Sequence, residues 1–162
     1  MKKHALIPGI ATLAVCALAL TTLGSAKKPV EKPFKCQTVN TWVIDLASMD
    51  IETGIAPVTL HVDGEATHLG RITADGSGLW NVYAGWYVSA SGVGTAANGD
   101  QISMKIPGAT YVLEFTGGTG RFENVSGGFS PITIISVTPE LSEDGSTLTI
   151  TISAKGEGSI TY

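Results

Sequence analysis

Two basic side chains three positions apart, His68 and Arg71, form the polar pair best suited to chemistry in a chain with only three histidines. If His68, Gly70 and Ile72 point into a barrel, the imidazole could carry a proton or donate a hydrogen bond there. If Leu69 points inward instead, Arg71 does too, and His68 meets solvent. A third possibility is a polar network at a barrel end that sets strand register. The one dense aromatic cluster is Trp80, Tyr83, Trp86 and Tyr87. Strand alternation puts the two tryptophans opposite the two tyrosines. Whichever pair faces inward would either wall a pocket for an apolar or aromatic small molecule or fill the core of a small barrel. The ligand-binding candidates are therefore Trp80, Trp86, Tyr83, His68 and Arg71, and Glu114 joins the last two as a candidate for an enzymatic reading.

Other constellations lead elsewhere. No Ser-His-Asp or Cys-His set can be assembled, so no catalytic residue is assigned. His61, Asp63 and Glu65 alternate along one strand face, but no second histidine stands at ligand spacing, and no metal is expected. The loop with Glu140, Glu143 and Asp144 lacks the alternating Asp/Asn ligands and closing Glu of a calcium loop. Gly117-Gly118-Thr119-Gly120 is followed by Arg121-Phe122 where a phosphate-binding loop needs Lys-Ser/Thr, so no nucleotide or other cofactor is expected. Asn124-Val125-Ser126 fits a glycosylation sequon within a glycine-packed turn.

The first 26 residues read as a targeting segment. Met1-Lys2-Lys3-His4 is basic, Ala5 to Leu23 is mostly apolar, and Gly24-Ser25-Ala26 supplies the small residues of a signal-peptidase site. Two alternatives are retention as a membrane anchor and lipidation at Cys16; the first is the only membrane attachment expected. Cleavage would leave 136 of the 162 residues, with Cys36 the single thiol and no intramolecular disulfide. The expected location is periplasmic or extracellular.

Residues 27–35, with Pro29, Pro33 and four lysines, read as a linker, and residues 36–162 as the domain. From Cys36 onward there are four basic residues against thirteen acidic ones, a net charge of −9, which argues against nucleic acid as a partner. With 43% hydrophobic residues, 20 glycines and recurrent Val, Ile and Thr, the domain reads as all-β.

The expected strands are Phe34–Ile44, Pro57–Val62, Ala66–Ala74, Leu79–Ser89, a run up to Ala96, Gln101–Ile106, Tyr111–Phe115, Ser130–Val137 and Thr147–Ala154. Asp63-Gly64 and Asp75-Gly76-Ser77-Gly78 read as turns, Pro139 to Ser146 as an acidic loop, and Asn98-Gly99 as a type I′ hairpin turn. In the last strand Leu148, Ile150, Ile152 and Ala154 share the inner face. About eight strands without a helical period suit an antiparallel barrel preceded by a signal segment.

The chain is organised around Phe115 to Gly128, a glycine-rich elbow in which Phe122 stands among small residues as a plug for the core. Phe115-Thr116-Gly117-Gly118-Thr119-Gly120-Arg121-Phe122-Glu123-Asn124-Val125-Ser126-Gly127 resembles the (I/F)-T-G-G-x-G-x-F-x-x-x-x-G segment shared by plant allene oxide cyclases and dirigent proteins. Ala66 to Thr73 and Thr95 to Asp100 resemble segments of exported bacterial relatives that share this elbow. The resemblance spans Phe34 to Tyr162 and implies an eight-stranded antiparallel barrel with a central cavity. It carries over no activity, because the polar cavity residues of those families are matched by none here. The leading expectation is an exported barrel holding a small apolar molecule. Its rivals are a cyclase or isomerase acting on a reactive apolar intermediate and a module acting through its outer surface.

Overall fold

Period-two alternation of apolar and polar residues is the dominant pattern, and it generates nine antiparallel strands. The computed structural model describes residues 29–109, 111–130 and 133–162. The segment read as a signal peptide, and with it the anchor and Cys16 alternatives, lies outside the described residues. The strands are β1 (Glu31–Asp45), β2 (Ile55–Ala66), β3 (Gly70–Asn81), β4 (Trp86–Ala96), β5 (Gln101–Pro107), β6 (Leu113–Gly118), β7 (Ser126–Phe129), β8 (Thr133–Leu141) and β9 (Thr147–Thr161). Each of β1 to β6 pairs with the next strand, β7 pairs with β9, and β9 pairs with β1. The expected eight-stranded antiparallel barrel closes in this way.

The ninth strand, β8, lies on β9 as well. A strand has two hydrogen-bonding edges, and β1 occupies one edge of β9 along its whole length. β7 and β8 therefore share the other, β7 against Gly158–Thr161 and β8 against Leu148–Lys155. No strand among the described residues pairs with the far edge of β8. Its residues Ile134, Val137 and Leu141 sit opposite Ala154, Ile152 and Leu148, on the apolar face of β9, yet all three are exposed.

Several expected boundaries move. Residues 31–35, read as linker, are strand: Lys35 stands opposite Glu157 with an ion pair at 3.2 Å, and Phe34 is buried. The β1–β2 ladder begins only at Cys36, so Pro33 lies where one strand edge is free and its missing N–H costs no ladder bond. β7 ends at Phe129, before the stretch read as Ser130–Val137; that strand begins at Thr133 as β8 and runs on into the expected acidic loop as far as Leu141.

Asp63-Gly64 and Asp75 to Gly78 are not turns but the middles of β2 and β3. Gly76 faces Gly92 across the β3–β4 ladder, and a Cβ on Gly76 would come within 2.6 Å of the Ser91 carbonyl. Glycine serves close approach of backbones here, not a chain reversal. The reversal comes later. The stretch read as one strand, Leu79–Ser89, is a hairpin whose turn is built by Asn81: its side-chain oxygen accepts from the Ala84 N–H at 2.9 Å and its carbonyl from the Gly85 N–H at 2.8 Å.

The β4–β5 turn also differs in type. Gly99 has φ +87° and Asn98 is not left-handed. The Gly99 N–H donates to the Ala96 carbonyl, and the Ala96 N–H to the Asp100 carbonyl, both at 2.9 Å. This is a three-residue loop, a type I turn followed by a left-handed glycine. In the elbow, a single 3-10 turn at Gly120–Phe122 brings the Phe122 ring back into the barrel, where it is fully buried against Tyr162 at 5.3 Å between ring centroids.

Candidate functional site

The inward side chains fall into three tiers. At the elbow end, Phe34, Leu69, Ile102, Phe115, Phe122 and Ile160 form one buried cluster. At the other end, Ile44, Val58, Trp80 and Tyr87 form a second, with Trp42 and Leu148 packed on it. Between them, at the waist, the larger Val62, Met104 and Ile152 share the wall with small or polar inward residues: Thr38 and Asn40 on β1, Ala74 and Gly76 on β3, Gly92 on β4 and Ala154 on β9. The small side chains cannot meet across an eight-stranded barrel, so a cavity remains.

Its volume is about 300 Å³, at the lower end of the range of small-molecule pockets. The wall is apolar, contributed by both end clusters. Tyr111 and Ile134 also line it and are 44% and 58% exposed, so the cavity meets the surface between β8 and the β5–β6 connection. That connection is held to the tip of the β3–β4 hairpin, where the Tyr111 hydroxyl donates to the Gly85 carbonyl and the Tyr111 ring meets Tyr87 edge-on.

Uncharged polar residues on the wall include Asn40, Thr38 and Tyr87. The Asn40 amide nitrogen donates to the Thr38 hydroxyl at 3.1 Å and to the Ile152 carbonyl at 3.3 Å. Tyr87 is 3% exposed, and its ring lies against those of Trp42 and Trp80 at 5.1 and 5.0 Å. Desolvation drives the Tyr87 phenol well above its ordinary pKa, so it stays protonated. Cys36 is on the wall too; burial raises its thiol, with a smaller opposing contribution from the Gly156 backbone.

The residues singled out from sequence are scattered rather than gathered. Trp80 points inward but stands behind Trp42 and Tyr87, in the end cluster. Tyr83 is 63% exposed, and its hydroxyl donates to the Ile51 carbonyl at 2.8 Å. Trp86 is exposed on the outer face at the start of β4. His68 sits in the β2–β3 turn with φ +70°, its Nε2 donating to the Pro33 carbonyl at 2.9 Å. Arg71 faces outward, opposite Glu65. Glu114 pairs with Lys105 at 3.0 Å, half exposed. At this barrel end the β2–β3 turn is joined to β1 through His68 and through Thr67, whose hydroxyl accepts from the Lys35 N–H at 2.8 Å.

The wall residues that sequence reasoning missed are Tyr87, Asn40, Thr38 and Trp42. The last three were legible as alternate positions of β1. Tyr87 was expected on the face opposite Trp80, but the chain reverses at Asn81 and Val88 forms a β-bulge: Trp80 pairs with Tyr87 and Leu79 with Ser89, so Tyr87 shares the inward face with Ala90 and Gly92.

On the outside, His61 bridges two carboxylates, Nδ1 to Asp75 at 2.7 Å and Nε2 to Asp63 at 3.0 Å. These contacts hold its pKa above the ordinary value. Both ring nitrogens are engaged, and among the described residues no group of His, Cys, Asp and Glu could hold a metal ion. No known family, curated protein or solved structure matches the chain.

Proposed function

We propose that the barrel is a binding protein that holds one small apolar molecule in its waist cavity. The observation that carries this reading is the tier of small residues between two well-packed clusters. A barrel selected only for stability gains from large side chains there, because empty space forfeits dispersion and transfer energy. Ala74, Gly76, Gly92 and Ala154 instead leave space at the waist. The largely apolar wall, whose Asp75 and Lys105 are paired with His61 and Glu114, suits retention and orientation of a ligand more than acid–base chemistry on it. The basic, then apolar, then small-residue pattern of residues 1–26 supports an exported location. The elbow's resemblance to the allene oxide cyclase and dirigent barrels supports the same architecture around a cavity.

Native mass spectrometry of the chain purified gently from the exporting host tests the reading. The expected result is a co-purifying small molecule that is lost in Ala90→Leu, which directs an isobutyl group into the cavity. A bare mass that stays bare when hydrophobic compounds are added would overturn it.

A further inference from the structure

Among the polar groups on the cavity wall, the Tyr87 hydroxyl differs from the rest. It has no hydrogen-bond partner among the described residues, whereas the Asn40 amide and the Tyr111 hydroxyl are engaged. It is not sealed in apolar surroundings either, since no fully enclosed side-chain nitrogen or oxygen is left without a partner. A hydroxyl on a residue that is 3% exposed and lines the cavity, unpaired and not fully enclosed, is free to meet a molecule held there. Trp42 and Trp80 fix the ring that carries it.

Charge around the wall is equally specific. Lys105, a residue of the cavity lining, is ion-paired with Glu114 at 3.0 Å. Asp75, beside Gly76, turns outward to His61. Lys35 and Arg121 are likewise paired with carboxylates, Glu157 and Asp100. A carboxylate or ammonium entering the cavity would lose its hydration without meeting an opposite charge, at a cost of several kcal/mol.

Resting on the binding function above, we infer that the ligand is an uncharged, largely apolar molecule carrying a hydrogen-bond acceptor, a ketone, ester or ether oxygen, which receives the Tyr87 hydroxyl proton. The acceptor sets orientation: it lies at the Trp42–Trp80–Tyr87 end, and the hydrocarbon portion extends along the waist. An occupant without an acceptor would leave the hydroxyl buried and unpaired.

Three probes of matched shape, cyclooctane, cyclooctanone and cyclooctanecarboxylate, titrated calorimetrically into wild type and Tyr87→Phe, test this. Phenylalanine keeps the ring contacts with Trp42 and Trp80, and a thermal melt confirms the fold. Cyclooctanone is expected to weaken by about three- to ten-fold in Tyr87→Phe, the worth of one neutral hydrogen bond. Cyclooctane is expected to bind unchanged or more tightly, and the carboxylate to bind neither protein at neutral pH. Equal effects of the substitution on ketone and hydrocarbon, or carboxylate affinity matching that of the ketone, would overturn the ligand class while leaving the binding function intact. If wild type takes up none of the three, the binding function falls and the ligand class with it.

Discussion

Trp80 and Tyr87 lie edge to face across the end of the β3–β4 hairpin, ring centroids 5.0 Å apart and planes at 83°. They are seven positions apart in the chain and would occupy opposite faces of a single strand. The Asn81 turn and the Val88 bulge put them on the same one, and together they cap the apolar cavity.

The two tryptophans of this region should therefore respond unequally to truncation. Trp80→Ala removes a buried ring and is expected to cost about 3–5 kcal/mol. Trp86→Ala, at an exposed position, should cost no more than about 1 kcal/mol. Urea unfolding of both variants measures this, and equal losses would contradict the hairpin geometry.

The thiol of Cys36 should be slow to react. Burial disfavours its thiolate, the nucleophilic form. Alkylation by iodoacetamide at mildly alkaline pH, followed at the Cys36 peptide by mass spectrometry, is expected to run at least about ten-fold slower in the folded protein than in urea. A ligand seated in the cavity should slow it further. Equal rates folded and unfolded would place the thiol outside the wall.

His61 supplies a pH dependence of known sign. The hydrogen bonds to Asp75 and then Asp63 favour its protonated form and raise its folded pKa. Its contribution to stability is fully present below the unfolded value of about 6.5 and is lost as pH rises through the folded pKa. A proton NMR titration should show a midpoint above the ordinary histidine value, falling back in Asp75→Asn. His61→Gln should lower the melting temperature more in mild acid than in mild base; the opposite ordering would refute the bridge.

The free edge of β8 should be visible in hydrogen exchange. Half of its amides point to β9, and the other half have no ladder partner among the described residues. The unpaired set is expected to exchange at least about ten-fold faster than the amides of β9, which is paired along both edges. Uniform protection along β8 would mean that a further strand covers it.

Much of the barrel was legible from residue order. The alternation of β1 and β9 assigned Leu148, Ile150, Ile152 and Ala154 to the inner face, because side-chain direction in an extended chain follows from position alone. The glycine elbow announced a buried Phe122, since five glycines in twelve residues leave one large side chain free to fold back. Less legible were the glycine pairs. Asp63-Gly64 and Asp75-Gly76 have the composition of turns, and only the neighbouring strand shows that their glycines serve close backbone approach. The candidate site suffered most. Its members lie on different strands, and a single bulged residue inverts the face on which a side chain appears.

The sequence by itself determined an acidic all-β domain with antiparallel strands, a plugged elbow and a single thiol beyond residue 28, because composition, period and backbone permissiveness are local properties. Tertiary structure decided the rest: which apolar positions touch, the cavity at the waist and the place of Tyr87 on its wall. It also joined His61 to Asp75 and left an edge of β8 open. These depend on register and closure, which arise only when strands distant in the chain are hydrogen-bonded around one ring.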